Sequence, residues 1–229
     1  MVVRIRWFWI VIPLLIIVLC IGGFYYYTEE VRIIPEELVR ESLEKTLNNT
    51  SYRYETLITL KLDGKEERLL SNIKGERSAD NFHFKGEMVG QKVEVFQVKD
   101  NTYSLDLKSG KWMITPGSEL FQPELFMTEI NPLSNFSFSE VNDIVYLGKE
   151  KIGKRKYYVI TCKPVVKNTF MEKYWQDFSY RLWIDKRSRR IVKAQVNAKN
   201  IKDPKDLINI SLVLYDFNKN IAIEPPKED

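Results

Sequence analysis

A single histidine, His83, and two cysteines, Cys20 and Cys162, are all the imidazole and thiol chemistry that the 229 residues offer. Histidine is the commonest acid–base residue near neutral pH. His83, however, stands between Phe82 and Phe84, and in a strand it points to the opposite face from both. It reads as an ordinary surface or half-buried histidine. One such residue builds neither a Ser/His/Asp nor a Cys/His nucleophile arrangement. Cys162 alternates with Tyr158 and Ile160 on one face, the pattern of a buried structural cysteine. No clustered Cys/His spacing suggests a metal site, and no Gly-rich loop is present to cradle phosphate. A carboxylate pair assembled in space, using Asp177 or Asp185, would leave little linear trace and is the one catalytic arrangement left open. The expectation is a protein that is not an enzyme, with no metal and no cofactor.

Aromatic residues are the more informative signal. Phe121, Phe126, Phe136, Phe138, Phe170, Tyr174, Trp175 and Trp183 lie in or beside segments that interrupt an otherwise strand-like pattern. Taken as function, Phe121, Leu125, Phe126, Ile130, Phe170, Tyr174 and Trp175 line or lid an apolar ligand cavity. Taken as structure, each covers the dry face of a sheet, because an aromatic side chain buries roughly 150–250 Å². For any one residue core packing is favoured, and only the group argues for a cavity. Lys163, Lys167 and Lys173 beside them would face anionic headgroups at about 1 kcal/mol per charge, or form a solvated loop.

The elements that position these residues begin with Trp7–Tyr27, 21 residues without a charge. As a helix it is long enough to cross a bilayer core of about 30 Å. Trp7, Trp9 and Phe24–Tyr27 stand where amphipathic rings favour the headgroup level, and Arg4 and Arg6 precede the run. The expectation is a retained signal-anchor over residues 1–27, with a cytoplasmic N-terminus and a linker, 28–34. An extracytoplasmic domain follows over 35–226, single-pass at the cell membrane. A cleaved signal peptide is the alternative. Lipidation of Cys20 is a third reading, against which Leu19 puts a bulky residue where a small one is wanted. Outside Arg4 and Arg6 the chain has 33 basic and 31 acidic residues. That near balance argues against nucleic acid as a partner.

Pro35-Glu36-Glu37 opens a helix over about 36–48, with Leu38, Val39, Leu43 and Leu47 at helical spacing and Asn48-Asn49 as its stop. From Tyr52 to Leu62 the period changes to two. Strands follow at 67–78, 81–88, 91–98, 101–107 and 111–115, separated by short turns that imply antiparallel neighbours. Pro116-Gly117 breaks the sheet, and one or two short helices are expected around Pro123. Strands resume at Asp143–Glu150, Arg155–Cys162, Phe178–Asp185, Ile191–Ala198 and Leu207–Phe217, with Lys163–Asp177 as an insertion. Ten or eleven strands make a sheet that curls, and only a few helical segments are available to cover it. The fold class expected is α+β, a strongly curved antiparallel sheet wrapped around a few helices.

This layout resembles the LolA/LppX-like superfamily of extracytoplasmic lipid and lipoprotein carriers. The matching features are the N-terminal span, the helix Pro35–Leu47, and Gly110-Lys111-Trp112 entering a strand. Tyr146-Leu147-Gly148-Lys149-Glu150 with Gly153, then Tyr180–Lys186, continue the match, and Tyr215-Asp216-Phe217-Asn218 leads to Ile223-Glu224-Pro225. The resemblance implies a half-closed barrel whose helices plug an apolar cavity able to hold acyl chains. Where a shuttling carrier is soluble or lipid-anchored, this chain departs by its peptide span. Two readings follow. In one, a membrane-anchored module binds a lipid or acylated, lipoprotein-like ligand. In the other, the same fold is a non-catalytic interaction or regulatory ectodomain serving an envelope protein partner.

Overall fold

The computed structural model describes residues 8–26, 33–116 and 131–226. Helix α1, Phe8–Tyr26, is followed by α2, Pro35–Leu47. Six strands come next: β1 Ser51–Lys61, β2 Glu67–Ser78, β3 Asn81–Met88, β4 Gln91–Val98, β5 Asn101–Leu105 and β6 Trp112–Pro116. A 3₁₀ turn, Pro132–Phe136, leads into β7 Phe138–Ile152 and β8 Arg155–Val166. Helix α3, Thr169–Tyr174, precedes β9 Trp175–Asp185, β10 Ile191–Asn200 and β11 Leu207–Tyr215. The eleven strands form one sheet in the order β6-β5-β4-β3-β2-β1-β11-β10-β9-β8-β7. Each neighbouring pair is antiparallel. Two meanders, β1–β6 and β7–β11, are thus joined where β1 pairs with β11, and β6 and β7 remain as open edges. The expected half-barrel is this unclosed sheet.

Strict alternation builds its concave face. Tyr52, Tyr54, Thr56 and Ile58 of β1 point inward beside Ile208, Ile210, Leu212 and Leu214 of β11, and all eight are buried. Tyr158, Ile160 and Cys162 of β8 and Phe178, Tyr180, Leu182 and Ile184 of β9 continue the same core. The thiol of Cys162 is pushed up to about 12 by burial, as its alternation with Tyr158 and Ile160 implied.

Helix α2 packs on β7, β10 and the 3₁₀ turn, with Pro35 in its first turn and Asn48 as its C-cap. Its buried face is Leu38, Val39, Ser42 and Thr46, not the expected line through Leu43 and Leu47. Leu43 is only partly buried and Leu47 is 42% exposed. The correction has a local cause. Ser42 Oγ donates to Val39 O at 2.9 Å and Thr46 Oγ1 to Ser42 O at 2.6 Å, so both hydroxyls are satisfied within the helix and can turn inward.

Further boundaries move: β5 ends at Leu105 rather than 107 and β11 at Tyr215 rather than Phe217. β7 starts at Phe138 rather than Asp143, because pairing with β8 slips at three places and Asp143 adopts φ 51°. Such bulges bend an edge strand and blunt it against stray pairing. β8 runs on to Val166, with Pro164 opposite Val141. β9 begins at Trp175, which shortens the expected insertion to the segment around α3. The short helices expected around Pro123 and most of the linker lie outside the described residues.

Helix α1 forms over the uncharged N-terminal run and contains Pro13. Its 19 residues rise about 28 Å at 1.5 Å each, just short of a hydrocarbon core of about 30 Å. Among the described residues no helix is long and apolar enough to cross a membrane. Every α1 side chain from Val11 to Phe24 is exposed.

Candidate functional site

The concave face is filled unevenly. On the β7–β11 half, α2 and the 3₁₀ turn press Leu38, Val39, Leu133 and Phe136 into the core. Polar ties fix them there. Tyr180 Oη donates to Asn135 O at 2.8 Å, and the Ile191 amide donates to Thr46 Oγ1 at 2.9 Å. Burial holds the Tyr180 hydroxyl far above the usual tyrosine range. This half is a packed core.

The β3–β6 half holds a groove instead. Phe84 and Met88 of β3, Val93 and Val95 of β4, Ser104 and Leu105 of β5 and Met113 of β6 line about 820 Å³ of space. That volume lies within the range of ligand pockets, roughly 300–1,000 Å³. Two turns form its lip. Val89-Gly90 connects β3 to β4 with φ 49° and 75°, the left-handed pair of a tight hairpin. A β-branched residue is strained there, and Val89 nonetheless holds an exposed aliphatic side chain at the mouth. The second turn carries exposed Leu107. Asp106 shapes it by accepting from Ser109 Oγ at 2.6 Å and from the Lys108 amide at 3.0 Å. These bonds, Ser109 first, keep its carboxyl below the usual carboxylate range.

On the convex side of the same wing lies a network that sequence reasoning missed. His83 Nε2 is 3.0 Å from Glu94 Oε1, and Nδ1 is 3.6 Å from Glu76 Oε1. Arg53 reaches Glu76 at 2.9 Å and Asp216 at 3.0 Å. The Phe96 ring lies flat on the imidazole, centroids 3.8 Å apart, with the Trp112 ring edge-on to Phe96. The signal was cross-strand register: Arg53, Glu76, His83 and Phe96 stand opposite one another on β1 to β4. The described residues contain no group of three or more His, Cys, Asp and Glu able to hold a metal ion.

Two solved structures are similar to this chain in fold. The first is the lipoprotein LppX from Mycobacterium tuberculosis, 18% identical, with a TM-score of 0.54 over 83% of this chain and 98% of that one. The second is LprF from Mycobacterium bovis, 12% identical, with a TM-score of 0.58 over 84% and 96%. The chain has the LolA/LppX-like fold. No protein-family model matches it, and no curated protein resembles it significantly in sequence.

Three of the seven expected ligand residues fall among the described residues. Phe121, Leu125, Phe126 and Ile130 lie outside the described residues. Phe170 belongs to α3. Tyr174 closes α3 with 39% of its surface exposed and Lys173 Nζ 5.5 Å from its ring. Trp175 opens β9, buried, beside a shallow hollow of about 410 Å³ shared with Pro164, Phe178 and Ile201. Tyr174 and Trp175 are thus adjacent, but β9 stands five strands from β3 in the sheet order. The strand residues Phe84, Met88, Val93, Val95 and Met113, which bring the large groove together, were not singled out.

Proposed function

We propose that this protein is a non-catalytic, membrane-held module that binds an acyl-chain ligand in the concave groove of its β3–β6 wing. The observation that carries this reading is the groove itself, about 820 Å³ with Phe84, Met88, Val93, Val95 and Met113 in its lining. A methylene moved from water into such a lining contributes about 0.8 kcal/mol, so even a partly seated chain is held. The aliphatic lip at Val89 and Leu107 gives a chain an apolar route from a bilayer to the interior. Tethering by α1 rests on its uniform exposure, since a helix apolar all round needs lipid or protein to cover it. The uncharged run extends from Trp7 to Tyr27, and Arg4 and Arg6 before it favour an extracytoplasmic domain.

The test uses the full chain in lipid nanodiscs with a photoactivatable palmitate analogue. Cross-links should concentrate on β3–β6, and Val93→Trp, which fills the groove, should reduce them about tenfold or more. Labelling no greater than in empty discs would overturn the acyl reading and leave an interaction scaffold. Release of the chain from native membranes by alkaline carbonate would overturn the tether.

A further inference from the structure

Among the described residues six Ser and Thr are buried: Ser42, Thr46, Ser51, Thr56, Ser71 and Thr102. Four of their hydroxyls are hydrogen-bonded, to Val39 O, Ser42 O, Lys219 O and Gln97 Oε1. Thr56 Oγ1 and Ser71 Oγ have no partner, and each residue is only 1% exposed. Both sit on the concave face. Thr56 follows Tyr54 and precedes Ile58 in the inward set of β1, and Ser71 lies opposite Ile58 on one side and Met88 on the other. The two hydroxyls therefore stand on adjacent strands, one step diagonally apart, in otherwise apolar surroundings that include Ile73, Ile210 and Leu212. A Val and an Ala would fill these positions without the cost of an unpaired buried hydroxyl. An unpaired buried polar group calls for an explanation, and a water or ion from outside the chain is one such explanation.

Met88 links this pair to the groove. It stands directly opposite Ser71 and itself lines the 820 Å³ space. Its unbranched thioether side chain changes rotamer easily, and because neither Ser71 nor Thr56 lines the groove itself, a ligand reaches them past Met88. We infer that Thr56 and Ser71 form a polar anchor behind Met88, at the inner end of the acyl groove, donating hydrogen bonds to the carbonyl of an ester- or amide-linked acyl ligand. The ligand class is then an acylated molecule rather than a bare hydrocarbon or an ether lipid. This inference rests on the acyl-binding reading above.

The test competes the photoactivatable palmitate analogue, on the full chain in nanodiscs, with monooleoylglycerol or with its ether analogue, in which a methylene replaces the carbonyl. Wild type should be cleared by the ester at roughly tenfold lower concentration than by the ether, as one or two hydrogen bonds imply. The Thr56→Val/Ser71→Ala variant should still take the label in the groove, with the two competitors within about twofold of each other. Should that variant fail to fold, Thr56→Val alone, which keeps the side-chain shape, should shrink the preference. Equal competition on labelled wild type would mean that water serves the hydroxyls. That result overturns the anchor and leaves acyl binding standing. A preference that survives in the double variant overturns the anchor too. Absence of groove labelling in wild type overturns the acyl reading, and the anchor with it.

Discussion

Thr46→Val tests how α2 is fastened to the sheet. Ile191 opens β10 where pairing with β9 is irregular, passing from Ile191–Ile184 to Lys193–Trp183. Its amide donates instead to Thr46 Oγ1 at 2.9 Å, and both residues are fully buried. Valine keeps the shape of threonine and opens no cavity, so the change isolates the hydrogen bond. A buried amide left without its acceptor costs about 1–3 kcal/mol. The Ser42 carbonyl also loses the Thr46 hydroxyl but remains within the helical ladder, which adds little. A loss of about 2 kcal/mol lowers the thermal midpoint of a domain of roughly 200 residues by about 4–8 °C. Thr46→Ser retains the oxygen and gives up one buried methyl, so it should cost only about 1 kcal/mol. Thermal unfolding of the full chain in detergent, followed by near-ultraviolet circular dichroism, reads both variants. Hydrogen exchange should show the Ile191 amide losing protection in Thr46→Val alone. A wild-type midpoint for Thr46→Val, or a larger loss for Thr46→Ser, would refute the view that this bond fastens the helix.

Two further substitutions probe the core. At Gly75 an added Cβ would lie 2.3 Å from Cζ of Tyr54, a fully buried ring. Gly75→Ala should therefore lower the urea midpoint, by an amount equal to about 1–3 kcal/mol, and an unchanged midpoint would mean that the ring does not lie across this glycine. Burial raises Cys162 from the ordinary 9.0 to about 12, and Tyr52 from 10.0 to about 12. Both groups are neutral when folded and ionise more readily unfolded, so their contribution is complete below about pH 9 and is lost as pH rises toward 12. Cys162→Ala should make the fall in stability over that window shallower while lowering stability at pH 7. A variant curve parallel to wild type between pH 9 and 12 would contradict the buried thiol.

The strands were legible because their alternation is nearly uninterrupted. Ile208, Ile210, Leu212 and Leu214 all face the core as their spacing required. Helix α2 was legible in extent but not in rotation. Apolar periodicity alone selects Leu43 and Leu47, whereas Ser42 and Thr46 point inward because backbone carbonyls satisfy their hydroxyls. β7 was cut short for a related reason, since Asp143 at φ 51° interrupts the alternation that marks a strand.

The groove escaped notice because it is not made of unusual residues. Segments that interrupt the sheet draw attention through their aromatics, but the lining comes from ordinary inward positions such as Met88, Val95 and Met113. What sets these apart is the partner set against them. Ile191 of β10 meets α2 and Tyr180 of β9 meets the 3₁₀ turn, and the same alternation on β3–β6 borders open space. Among the described residues helix placement, not strand composition, therefore divides one continuous sheet into a packed half and a grooved half. It follows that equal losses of apolar volume should act differently in the two halves. Removing methylenes opposite α2 leaves a cavity and costs stability, while removing them at Val93 or Met113 only widens a space already there and changes what it holds.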